Sequence, residues 1–247
     1  MAEKVRNAGK YVFFATSLIL LLLHLSVWIQ DNHAFTVRKI MVSGNNLLEE
    51  AELLELARVD TVGSIWNTEV KRIEERIAEL PEIAKVEVAR TFPSSIRVRV
   101  QEREPVAVLL DNGLWGLDRE GVLLPRFKPK VGMDYPVIVG LRLKQHLPGE
   151  VVDNENVARL AGFLGDLQKA NSFVYHLISE ATYTETNGVQ FLTTEEQLPV
   201  ILGGGGWVKK CKKLGAAWRH FQTTKKLENV ARLDLRFDEQ IVLKRKT

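Results

Sequence analysis

The chain has one cysteine, Cys211, so no disulfide can form within it and the fold must be held by core packing. No block of like charge is present: 34 Lys and Arg stand against 31 Asp and Glu, and the net +3 is spread along the sequence. That balance leaves no electrostatic footprint for nucleic acid. Low-complexity runs, charged tails and tandem repeats are also missing. The histidines, His24, His33, His146, His176 and His220, are scattered. No metal-ligand spacing, nucleophile elbow or carboxylate pair stands out. Gly203 to Gly206 is followed by Trp207-Val208 rather than the Lys-Ser/Thr of a phosphate loop, and no dinucleotide fingerprint occurs. The expectation is a non-enzyme with no cofactor, no metal and no small-molecule substrate.

What the chain does have is one long apolar run, Val12 to Ile29, with no formal charge. As a helix it matches the ~30 Å hydrocarbon core of a bilayer, and a helix satisfies its own backbone there. Lys4, Arg6 and Lys10 precede it against a single Glu3, while Gln30, Asp31, Asn32 and His33 follow. Positive residues stay inside, so the expectation is a cytoplasmic tail at 1–10, a transmembrane helix at 11–30 and the bulk outside. Tyr11 and Trp28 suit the two interfaces. The rival is a cleaved signal peptide, but the run exceeds a usual signal core and no small-residue cleavage site follows.

Residues 35–104 read as strand, helix, helix, strand, strand. Phe35 to Ser43 is a strand stopped by Gly44-Asn45-Asn46. Asn46 with Glu49 forms a candidate capping box. A helix from Glu49 to Arg58 places Leu53, Leu56 and Ala57 on one face. Another, Thr68 to Glu79, has Val70, Ile73 and Ile77 in register before Pro81. Val86 and Val88, then Ile96, Val98 and Val100, alternate with charged residues across a turn at Thr91 to Ser95. Two helices on one face of a small sheet give an α+β module.

Residues 105–247 are β-rich with two or so helices. Short strands are expected at Val106 to Leu110, Leu114 to Asp118 and Val122 to Pro125, and a strand leads into a turn over Tyr135 to Gly140. Longer strands are expected at Phe173 to Thr184, Gly188 to Leu192 and Leu198 to Leu202. Asp153 or Asn154 caps a helix containing Val157, Leu160, Leu164 and Leu167. A second helix, Trp207 to Thr224, carries Val208, Cys211, Leu214, Trp218 and Phe221 as one stripe, which makes Cys211 a core residue rather than a nucleophile. Asp118 beside Gly121 is turn chemistry rather than a metal loop. Val230 to Phe237 and Ile241 to Arg245 close the chain as two strands.

Several of these runs carry a resemblance. Val37 to Asn45, Leu80 to Val88, Arg90 to Ile96 and Val98 to Val100 look like the signature stretches of a POTRA domain. Glu102-Arg103-Glu104-Pro105-Val106-Ala107 is similar to the segment that ends the single POTRA of the FtsQ/DivIB bacterial cell-division family, and Asp118 to Leu124 resembles a hairpin of the same family. Leu48 departs from the Ser or Thr helix cap of that pattern. The resemblance implies a single-pass type II protein of the bacterial inner membrane. It would carry a POTRA at 35–104 and an FtsQ-like β domain at 105–247, placed at the division septum. It also implies a scaffold that holds FtsB- and FtsL-like single-pass coiled-coil partners and meets other divisome components through the POTRA. Carried over by position, the partner-binding residues are Phe237, Ile241, Val242, Leu243, Lys244 and Arg245, acting by edge-strand pairing. The competing expectations are a membrane-tethered glycan-binding protein or cell-wall enzyme, and the POTRA module of an export system.

Overall fold

The computed structural model describes residues 2–31, 33–59, 63–125, 134–224, 226–237 and 240–246. The chain divides into two compact units, Met1–Glu102 and Arg103–Thr247.

The first unit begins with a helix, α1 (Ala2–Asp31). Every side chain from Phe13 to Trp28 is exposed. Among the described residues no helix is long and apolar enough to cross a membrane. The full span expected over residues 11–30 is thus not found among the described residues. What the structure gives is a helix whose apolar surface is uncovered.

After a single helical turn at His33–Phe35 come β1 (Lys39–Ser43), α2 (Glu50–Ala57), α3 (Val70–Ala78), β2 (Ile83–Thr91) and β3 (Ser95–Glu102). The sheet order is β1-β3-β2, with β1 parallel and β2 antiparallel to β3. On β3 the alternation is as the sequence predicts: Ile96, Val98 and Val100 are buried while Arg97 and Arg99 are exposed. They pack with Leu53 and Ala57 of α2 and Ile73 and Ile77 of α3.

The expected capping box does not form. The residue before α2 is Glu49, and no side chain caps the helix. Asn46 instead belongs to a loop whose amides turn toward Glu102. The Glu102 carboxylate accepts from the backbone N–H groups of Asn46 (2.9 Å), Leu47 (2.7 Å) and Leu48 (2.9 Å). A buried carboxylate from the end of β3 outcompetes a local cap because it satisfies three donors at once. Gly44 makes this approach possible. Its φ is +89°, and a Cβ there would lie 2.0 Å from the Val100 carbonyl oxygen.

Among the described residues the second unit is built on one nine-stranded sheet. Its strands are β4 (Pro105–Leu110), β5 (Leu114–Asp118), β6 (Leu123–Leu124), β7 (Val137–Ile138), β8 (Ile178–Thr184), β9 (Gly188–Thr193), β10 (Pro199–Gly203), β11 (Val230–Asp234) and β12 (Val242–Arg245). In space the order is β12-β11-β10-β9-β8-β7-β4-β5-β6. Parallel pairings need crossovers. Accordingly α4 (Glu155–Lys169) and α5 (Phe173–Leu177) lie between β7 and β8, and α6 (Trp207–Thr223) lies between β10 and β11. The stripes Val157, Leu160, Leu164, Leu167 and Cys211, Leu214, Trp218, Phe221 are buried in one core with the sheet. Asn154 caps α4, its side chain accepting from the N–H groups of Asn156 and Val157. The neighbouring Asp153 carboxylate accepts from Lys144 N instead.

The expected strand Phe173 to Thr184 is corrected at its first half. Residues 173–177 form the helix α5, and the strand starts at Ile178. The β-rich composition of this run misleads. Val174 and Leu177 are both buried one helical turn apart, and the buried Tyr175 donates its hydroxyl to the Val106 carbonyl at 2.9 Å. The expected strand Val230 to Phe237 is also shorter, ending at Asp234.

Candidate partner-binding edge

A sheet end exposes unpaired N–H and C=O groups unless something covers it. The two ends of the large sheet differ in this respect. At β6, Leu123 N donates to Glu150 O at 3.0 Å and Gly149 N to Leu123 O at 2.8 Å, while Val122 bridges Val151. That end is covered. At the other end no strand lies beyond β12 among the described residues. In the small sheet, the outer strand β2 is partly capped, since the Glu74 carboxylate accepts from Val88 N at 2.7 Å.

β12 runs antiparallel to β11, with Asp234 opposite Val242, Leu233 opposite Leu243 and Arg232 opposite Lys244. The six residues singled out from the sequence sort by this register. Leu243, and Ile241 just before the strand, are partly buried against the core. Val242, Lys244 and Arg245 are exposed on the strand, and Phe237, three residues past the end of β11, is 50% exposed. The structure therefore places four of the six on the surface and two in a packing role.

Three neighbours on or just after β11 were not singled out. Arg236 grips Asp234, its Nε donating to Oδ1 at 3.0 Å and its Nη2 to Oδ2 at 2.6 Å. This hydrogen-bonded guanidinium holds the Asp234 carboxyl below the usual carboxylate range. Arg232 lies directly across from Lys244, and its Nε is buried without a hydrogen-bond partner. Two cations facing each other across a ladder repel. Among the described residues of β11 and β12 the charges are thus cationic except for Asp234, which Arg236 engages. In the sequence these residues read only as the polar half of an alternating strand; register was the missing signal.

Other candidate sites resolve into structure. Asp118 Oδ1 accepts from Glu120 N and Val122 N, and Oδ2 accepts from Arg103 at 2.7 Å, which is turn chemistry. Cys211 is fully buried, and burial pushes its thiol up to about 12. Gly203 to Gly206 joins β10 to α6, with Trp207 Nε1 donating to Gly203 O. Gly188 pairs with Gly203 where the ladder shifts register, and this close approach explains the glycine at position 188. A Cβ on Gly188 would lie 2.2 Å from the Gly203 oxygen.

Comparison with known proteins gives a consistent result. Residues 35–103 match the family described as POTRA domain, FtsQ-type, and residues 107–236 match Cell division protein FtsQ/DivIB, C-terminal. The chain is 28% identical over 222 residues to the cell division protein FtsQ of Geotalea daltonii, covering 85% of this chain and 76% of that one. It is 29% identical over 213 residues to FtsQ of Rhodothermus marinus, covering 83% and 76%. Against FtsQ of Neisseria meningitidis it is 27% identical over 214 residues, covering 86% and 83%.

Proposed function

This chain belongs to the FtsQ/DivIB family of cell-division proteins, and from that premise we propose that it is a membrane-anchored scaffold of the division machinery that performs no chemistry. In this reading α1 anchors it in the bacterial inner membrane, with the N-terminus in the cytoplasm and both folded units outside, at the septum. The uncovered apolar side chains from Phe13 to Trp28 and the cations Lys4, Arg6 and Lys10 before them support the anchor and its direction. The POTRA at 35–104 meets other divisome components. The β domain at 105–247 holds FtsB- and FtsL-like coiled-coil partners.

The observation that carries the binding mode is the asymmetry of the large sheet, covered at β6 and, among the described residues, with no strand beyond β12. A partner strand added to β12 takes its free backbone groups. Val242 offers an apolar contact, 38% exposed, and Lys244 with Arg232 on one face and Arg245 on the other favour acidic groups on that partner. The test is affinity purification of the full chain from membranes with a photo-crosslinker at Val242 or Lys244. Small single-pass coiled-coil proteins cross-linked there are the expected result. Recovery of those proteins with no cross-link from either position overturns the edge assignment. Failure to recover them, together with unperturbed septation on depletion, overturns the division role.

A further inference from the structure

Three aromatic side chains stack at one end of the first unit. Trp66 and Phe92 have ring centroids 4.6 Å apart, and Phe35 lies 6.0 Å from Trp66. Trp66 is 43% and Phe92 51% exposed, while Phe35 is half-buried against the core of the unit. The cluster is nevertheless firmly built. Ile65, beside Trp66, is fully buried and its N–H donates to Phe35 O at 2.8 Å. Arg90 donates from Nε to Ile65 O (2.9 Å) and from Nη2 to Thr68 O (2.8 Å). Arg38 N donates to Ser94 O at 2.8 Å. Three chain segments are thereby tied together to hold an apolar surface in water, which folding alone does not require.

Two observations identify what covers it. Phe35 follows the last residue of α1, Asp31, by four positions, at most about 14 Å of extended chain. The patch is therefore confined to the neighbourhood of that helix end. Residues 33–42, 63–68 and 89–98, which carry the patch, contain Arg38, Lys39, Arg90 and Arg97 and no Asp or Glu. The adjoining Glu69 is paired with Arg72 at 2.8 Å, and aromatics on segments that carry cations are the chemistry of a membrane interface, where rings settle at headgroup depth and Lys and Arg meet lipid phosphates.

We infer that Phe35, Trp66 and Phe92 seat the POTRA on the outer face of an anionic phospholipid bilayer. This rests on the reading of α1 as a membrane anchor. The seat fixes the orientation of the module against the membrane, so recruitment surfaces are presented at a set angle rather than on a free tether.

The test uses the full chain in nanodiscs of phosphatidylethanolamine and phosphatidylglycerol, with a nitroxide at Asn67→Cys beside Trp66. Cys211 is buried and escapes labelling. Accessibility to oxygen, which favours lipid, is compared with accessibility to a water-soluble nickel chelate. A second label at Lys85→Cys, toward the far end of β2, reports the aqueous side and the integrity of the fold. The seat predicts a lipid-side signal at residue 67 and a water-side signal at residue 85. Trp66→Ser with Phe92→Ser raises nickel access at residue 67 severalfold, and so does Arg38→Glu with Lys39→Glu, which leaves the aromatics in place. A chain that remains in the disc with residue 67 as nickel-accessible as residue 85 overturns the seat but not the anchor. A chain that leaves the lipid overturns the anchor itself. A label shielded from both reagents means that a protein covers the patch, which also overturns the seat.

Discussion

Proline substitution on β12 separates the two sides of the strand. Lys246 N donates to Asn229 O at 2.7 Å, so Lys246 turns its N–H toward β11. Successive strand residues alternate. Val242 and Lys244 therefore face β11, while Leu243 and Arg245 turn their N–H groups outward. Arg245→Pro removes one outward donor and obstructs the pairing beside it. A net backbone hydrogen bond contributes about 0.5–1.5 kcal/mol. With the neighbouring pair disturbed, the expected loss is about 1–3 kcal/mol, or ~5- to 150-fold in partner affinity. Arg245→Ala keeps the N–H and loses only an exposed charge, worth less than about 1 kcal/mol. Lys244→Pro breaks the ladder to β11 instead and lowers stability before it lowers affinity. The assay is partner binding to the purified full chain in detergent, with thermal unfolding measured on each variant. If Arg245→Pro binds as well as Arg245→Ala while melting like wild type, strand addition at β12 is refuted.

Other expectations follow from the same contacts. Glu102→Ala leaves the Asn46, Leu47 and Leu48 amides without their acceptor and costs about 2–4 kcal/mol; hydrogen exchange should accelerate at those three amides before the rest of the POTRA. Asp234 has a depressed carboxyl pKa because Arg236 bonds its charged form. Its stabilisation is present above the ordinary value of 3.8 and lost as pH falls through the lower folded value. The stability gap between wild type and Asp234→Asn in urea should therefore be full at pH 7 and close in acid. A thiol held up at about 12 stays protonated, so Cys211 should resist maleimide at pH 8 until denaturant is added. A Cys211 that labels at the rate of a free thiol in the folded chain would contradict its burial.

Periodicity alone located most of the elements. The period-two pattern of Ile96, Val98 and Val100 and the 3.6-residue stripe from Cys211 to Phe221 both depend on which face a neighbour covers, and each face is written locally in residue types. The single cysteine and the even spread of charge likewise limited the chemistry before any coordinates. What the sequence could not supply were choices made between distant segments. Residues 173–177 have strand-like composition, and a hydroxyl contact from Tyr175 to Val106 accompanies their helical form. The loop at Asn46 has a local cap available but gives its amides to Glu102, more than fifty positions away in sequence.

The candidate edge follows the same division. That residues 242–245 form a strand is local information. Which strand ends the sheet, that its opposite end is covered by Gly149 to Val151, and that Arg232 stands across from Lys244 are matters of pairing. Pairing partners are set by the register of the whole sheet, and a one-residue slip would turn Val242 inward and Leu243 outward. The sequence by itself determined the apolar run, the two modules and the alternation of their strands, because those depend on neighbours along the chain. Only the tertiary structure decided which backbone groups stay unpaired and which aromatics gather at the surface, because both depend on what the fold leaves uncovered.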